Sequence, residues 1–135
     1  MYTYDPREVT LTVDGDAIVG FAEGTYITAE KDEDLYTEHV GSQGEVTRSR
    51  NPHPMGEITV TLKSSSPSNK KLFDLSQSQE LFGVFVVDDN TGAFSAGGNK
   101  CWVQKPAGRD LGQEEGERDW TIRIADWDQE EEYRG

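Results

Sequence analysis

Apolar and polar residues alternate along three stretches of the chain. Val9, Leu11 and Val13 interleave with Thr10 and Thr12, and Asp14-Gly15 then leads into Ala17-Ile18-Val19-Gly20-Phe21. This pattern predicts a β-hairpin turning at Asp-Gly. Ile58, Val60 and Leu62 share one face while Glu57, Thr59, Thr61 and Lys63 share the other, as in a strand with one buried and one wet face. Trp120, Ile122 and Ile124, opposite Thr121, Arg123 and Ala125, repeat that pattern. The continuous apolar run from Gly83 to Val87, ended by Asp88-Asp89-Asn90-Thr91-Gly92, predicts a strand covered on both faces or the most central strand of a sheet. One helix is predicted: Ser66-Pro67 supplies an N-cap and a first-turn proline, and Leu72, Phe73 and Leu75 supply an apolar face that packs on the sheet.

No such pattern covers Gly41 to Gly56. Gly41, Gly44, Arg48, Arg50, Asn51, Pro52, His53 and Pro54 make it a long connection, much of it irregular, and loops of that length in small domains are usually functional or disordered. The last six residues, Glu130 to Gly135, have the composition of a solvated tail. The 135 residues suit one domain, 1–135. Only 33% are strictly hydrophobic, so the core is thin, and self-association is expected to complete the burial.

Charge narrows the function classes. There are 26 acidic and 13 basic side chains, a net charge of −13, which disfavours a surface that grips DNA or an anionic membrane. Residues 1–40 carry 10 acids and 2 bases and residues 110–135 carry 10 and 3, whereas residues 41–75 carry 3 and 5. The only basic segment, with Arg48, Arg50, Lys70 and Lys71, is therefore a candidate to meet an acidic surface of another copy. No apolar stretch is long enough to span a bilayer, and the first residues lack the pattern of a secretory leader. The single Cys101 allows no internal disulfide, which fits a reducing compartment.

Catalytic and metal chemistry find little support. The two histidines, His39 and His53, have neither a nucleophile elbow nor zinc-ligand spacing around them. Asp32-Glu33-Asp34 and Asp88-Asp89-Asn90 lack the calcium-loop pattern and suit turns. Trp102, Trp120 and Trp127 suit a core or an interface better than a sugar platform. No enzyme and no cofactor are expected.

The segment from Val9-Thr10-Leu11-Thr12-Val13 through Asp14-Gly15 to Phe21-Ala22-Glu23-Gly24-Thr25, with Val40-Gly41-Ser42-Gln43-Gly44-Glu45-Val46-Thr47-Arg48-Ser49-Arg50-Asn51 and Gly56-Glu57-Ile58-Thr59-Val60-Thr61-Leu62-Lys63, resembles bacteriophage tail tube proteins. The resemblance spans almost the whole chain and is nearest to small structural proteins of contractile, Mu-like or related long-tailed phages. It implies a mainly β fold, a tail-tube-like β-sandwich or partial barrel with one flanking α-helix and a long inter-ring loop. It further implies six copies per ring, and rings stacked head to tail into a hollow conduit in the virion tail, assembled in the bacterial cytoplasm, that passes DNA without specific binding. The inter-ring contacts would fall to Glu45, Arg48, Arg50, Asn51, Pro52, His53, Pro54 and Met55, with Glu57, Thr59 and Thr61 facing the lumen. The implied partners are other copies of the chain, the tail sheath, a baseplate or initiator and a tail terminator, with no membrane. Two other readings remain open: the inner tube of a phage-like bacteriocin or type VI secretion particle, and a monomeric β-sandwich module for carbohydrate binding or adhesion.

Overall fold

The computed structural model describes residues 9–22, 24, 27–32, 36–50, 54–90, 92–109, 111–112 and 115–133. In chain order the elements are β1 (Val9–Val13), β2 (Asp16–Ala17), β3 (Ile27–Lys31), β4 (Tyr36–Val40), β5 (Val46–Arg50), β6 (Gly56–Lys63), α1 (Ser68–Gln77), β7 (Phe82–Asp88), β8 (Gly92–Val103), β9 (Glu117–Ile124) and β10 (Asp128–Tyr133). Eight strands form one open antiparallel sheet in the order β2-β1-β7-β8-β9-β6-β3, with β10 pairing β8. Strand β8 has two partners on one side, because β10 takes Gly92 to Gly97 and β9 takes Cys101 to Val103.

The period-2 stretches become strands because each has a face to bury. Leu11, Val13, Ile58, Val60, Leu62, Val84, Trp120, Ile122 and Ile124 join Leu72 of α1 in one core and are inaccessible to solvent. Asp14-Gly15 turns the first hairpin with φ of 50° and 83°, and Thr12 and Val13 pair with Ala17 and Asp16, as a two-residue turn with both central φ positive requires. The chain then crosses from one edge of the sheet to the other. The Ile18 N–H donates to the Leu11 carbonyl, the Lys63 N–H to the Gly20 carbonyl, and the Ala22 N–H to the Thr61 carbonyl. This crossing makes the open sheet a partial barrel. Gly20 permits it: its φ is +78°, and an added Cβ would lie 2.5 Å from the Ser66 Cβ, closer than packed atoms approach.

A buried polar cluster fixes the helix. Asn69 Nδ2 donates to the carbonyls of Lys63 and Ser66, and Asn69 Oδ1 accepts from Trp120 Nε1 at 2.9 Å. The Ser66 hydroxyl accepts from the Ser68 N–H and donates to the Val19 carbonyl. The Ser66 hydroxyl thus holds the first N–H of the helix, but the N-cap position falls on Pro67, one residue later than expected, and the regular helix begins at Ser68.

Three sequence expectations are corrected. Strand β7 is not covered on both faces: Phe82, Val84 and Val86 are buried, but Phe85 is 44% exposed, because the helix covers only the other side of the sheet. Its ring lies against Gly83 and Gly97 instead. The expected irregular connection from Gly41 to Gly56 is partly regular, since Val46–Arg50 pairs with Tyr36–Val40 as a separate two-stranded ribbon. Residues 38–40 and 46–50 of that ribbon are exposed, so no apolar alternation marks them. The expected tail at residues 130–135 is a strand as far as Tyr133. Its carboxylates at Glu130 and Glu131 are exposed, while its backbone pairs with β8 independently of side-chain type.

Candidate functional site

The ribbon is built by its own hydrogen bonds. The Gly41 N–H donates to the Glu45 carbonyl at 2.7 Å and the Gly44 N–H to the Gly41 carbonyl at 3.0 Å. Gly44 takes φ +86°, and the Glu45 carboxylate folds so close over Gly41 that a Cβ there would overlap it. Val40 and Val46, paired across the ribbon beside this turn, are 67% and 68% exposed. Glu38 stands directly across from Arg48, a placement that favours opposite charges. Arg48 and Arg50 are exposed, as is every other residue of β5. At the base of the ribbon, the Met55 carbonyl accepts from the Asp32 N–H and the Pro54 carbonyl from the Trp127 N–H. Of the eight expected contact residues, Glu45, Arg48, Arg50, Pro54 and Met55 are thus placed; Asn51, Pro52 and His53 lie outside the described residues.

The basic segment does not act as one patch. Lys71 on α1 bridges Asp16 at 2.8 Å and Asp14 at 3.4 Å, and Lys70 pairs with Asp74 one helical turn on. Both lysines are engaged within the fold; the other cations of residues 41–75, Arg48, Arg50 and Lys63, are exposed.

Glu57, Thr59 and Thr61 share the half-buried outward face of β6. In register with them lie Glu30 and Thr28 of β3 and Arg123, Thr121 and Asp119 of β9. Arg123 Nη1 donates to Glu57 Oε2 at 2.9 Å and also to Asp32, which its Nη2 contacts as well. The Thr61 hydroxyl donates to Asp119 Oδ1 at 2.6 Å. This face carries carboxylates in excess of cations, yet its central acid is neutralised by a fixed guanidinium. The sequence carries no sign of that pair, because Glu57 and Arg123 are 66 residues apart.

The tempting residues have structural roles. Cys101 is buried and its thiol is pushed up to about 12, chiefly by burial and then by the Asp126 charge. Trp120 is in the core, whereas Trp102 is half-buried and Trp127 packs on Gly56, so the three indoles form no common platform. Asp88 accepts from the Asn90 N–H and side-chain amide, closing the turn. No group of three or more His, Cys, Asp or Glu among the described residues is arranged to hold a metal. Two open clefts flank the sheet. One of about 540 Å³ is rimmed by Asp88, Asp89, Glu130 and Glu131; one of about 480 Å³ is lined by Lys70, Arg109 and Arg118.

Comparison with known proteins gives this geometry a context. The chain is 26% identical over 134 residues to structural protein ORF10 of Pseudomonas phage KPP10, covering 90% of this chain and 78% of that one. Its fold is similar to that of the sheath/tube terminator of PVC, an extracellular contractile injection system (TM-score 0.65, 12% identity, 96% of this chain and 98% of the other). It is also similar to the tube terminating cap of the anti-feeding prophage (TM-score 0.58, 10% identity, 98% and 93%). The PVC sheath-tube complex gives a TM-score of 0.61 at 12% identity, over 97% and 93% of the two chains. The family model described as Bacteriophage PhiTE tail tube protein matches residues 3–126, so the chain belongs to that tail tube family and is a structural component of a phage tail.

Proposed function

We propose that six copies of this chain form a ring, and that the rings stack head to tail into a hollow tube through which DNA passes during ejection. The observation that carries this reading is the ribbon of β4 and β5. It is a solvent-exposed two-stranded ribbon, paired with neither edge of the main sheet. An isolated two-stranded ribbon is marginal in water, and its apolar tip pair is left exposed by the described residues. A neighbouring ring supplies the missing cover, with Glu45, Arg48, Arg50 and the 51–55 segment as its contacts. Head-to-tail contact is heterologous and open-ended, so it propagates into a filament. Joining subunits edge to edge also covers the unpaired strand edges at β2 and β3.

In this reading Glu57, Thr59 and Thr61 face the lumen, and the wall is a hydroxyl-rich surface of weakly negative charge. Such a wall offers phosphates no cluster of free cations, and repulsion from it fades within about 8 Å at physiological ionic strength. The role is mechanical, without catalysis or cofactor, and sheath, baseplate or initiator, and terminator are the partners it requires. The chain assembles in the host cytoplasm and ends in the virion tail.

Negative-stain electron microscopy tests the proposal. The purified chain is expected to give six-membered rings and hollow filaments. Arg48→Glu combined with Arg50→Glu is expected to leave the monomer folded by circular dichroism and to stop filament growth. Normal filaments from the double variant would remove the ribbon from the stacking contact, and a strictly monomeric wild type with or without a tail initiator would overturn the tube reading.

A further inference from the structure

We propose that the cleft between the start of α1 and the start of β9 is a carboxylate-binding site, and that its ligand is the acidic β10 edge of a second copy of this chain. Arg118 and Arg109 line the cleft together with Lys70, Ser64, Ser66, Asn69 and Phe73. Arg118 stacks on the Trp120 ring, 4.9 Å from its centroid, and donates to the carbonyls of Ala107 and Gly108. Neither arginine forms a salt bridge with a described carboxylate, although the chain has twice as many acids as bases. Burial, and then the Arg109 charge beside it, pull the Arg118 guanidinium below its ordinary pKa. A partly desolvated guanidinium with a second, exposed arginine beside it favours an anion between the two.

A second observation points the same way. Ser64 is among the residues that line the same cleft, and its buried hydroxyl is the one buried side-chain polar atom without a hydrogen-bond partner among the described residues. Such groups are normally satisfied, and a carboxylate seated between the arginines is an acceptor of the kind this hydroxyl lacks.

The occupant follows from charge and position. Among the described residues strand β10 pairs with β8 alone, and it presents Glu130 and Glu131 at the acidic cleft beside Asp88 and Asp89. That cleft includes Phe94 near the start of β8, while the arginine cleft lies beyond Val103, where β8 ends. The nine residues between them span about 30 Å. A basic socket and an acidic edge at opposite ends of one strand fit a head-to-tail contact, each copy offering its acids to the arginines of the next.

This assignment rests on the stacking reading, and the experiment separates the two. A fluorescent peptide of residues 126–133 is titrated into the full-length chain, with a peptide carrying Gln for each Glu as control. The acidic peptide is expected to bind with salt-sensitive affinity, to shift the amide resonances of Ser64, Lys70 and Arg118, and to lose about tenfold in affinity with Arg109→Glu. No binding, equal binding by the control, indifference to Arg109→Glu, or tighter binding of an oligothymidylate to the cleft would each overturn it. In micrographs, Arg109→Glu is expected to block stacking, and adding Glu130→Arg with Glu131→Arg to restore it. Normal tubes from Arg109→Glu would remove the cleft from the contact and leave the stacking reading standing. Peptide binding at the cleft without tubes from the wild type would do the reverse.

Discussion

At the scale of single residues, Asn69 joins three parts of the fold. It accepts from the Trp120 indole and donates to carbonyls at the β6–α1 turn, in a buried to part-buried setting. Asn69→Leu leaves the buried Trp120 N–H without a partner, while the Lys63 and Ser66 carbonyls keep the Ser66 and Asn69 backbone N–H groups, so it is expected to destabilise the chain by about 1–3 kcal/mol, measured by urea unfolding; a loss below about 1 kcal/mol would mean that water replaces the side chain. Asp126 gives a pH-dependent counterpart. Its two oxygens accept from the Asn99 and Lys100 N–H groups. Burial opposes its charge, and these backbone donors outweigh it, holding the carboxyl below its ordinary pKa. A depressed folded pKa contributes stability above the unfolded value of about 3.9 and loses it as pH falls through the folded value. Asp126→Asn, with one acceptor oxygen for two donors, is expected to cost about 1 kcal/mol at pH 7 and to show a shallower loss of stability between pH 5 and pH 2 than the native chain. Parallel pH profiles would assign that acid sensitivity to other carboxylates.

At the scale of elements, legibility followed burial. Strands β1, β6 and β9 were readable because a single buried face imposes period 2 on their residues. The β1–β2 turn was readable because Asp-Gly at that spacing has few other uses. Strand β7 gave a strand signal but the wrong environment, since Phe85 is apolar while covering glycines at the surface. Strand β10 left no signal, because Asp128-Gln129-Glu130-Glu131 enters the sheet through its backbone. The ribbon reads in the sequence as a contact arm but not as paired strands, since its residues 38–40 and 46–50 are exposed and no burial imposes a period on them. A direct consequence concerns its tip. Val40→Ser with Val46→Ser is expected to change monomer stability by no more than about 0.5 kcal/mol in urea, yet to weaken self-association in sedimentation equilibrium. Substantial unfolding would show that the ribbon packs on its own core.

At the scale of the whole molecule, family membership was legible from the order of motifs along the chain, and the partial barrel with one helix agrees with it. The placement of charge was less legible. Segment totals located the basic region, but Lys70 and Lys71 are engaged within the fold, and Arg123 neutralises the acid singled out on β6. Arg109 and Arg118 escaped attention because they lie in an acidic stretch and meet only when β8 and β9 are brought together.

The strand order also sets a timetable. On the growing chain, the hairpin β1–β2 and the ribbon close from sequence neighbours, and β3 waits only for β6, beyond the ribbon. Val13, however, pairs with Val84, and Val9 with Asp88. At about 5–20 residues per second of synthesis, the first strand therefore leaves the ribosome several seconds before its main partner exists. With so many of its ladders long-range, the domain belongs among the slow folders, and its N-terminal half spends that interval with Leu11 and Val13 uncovered.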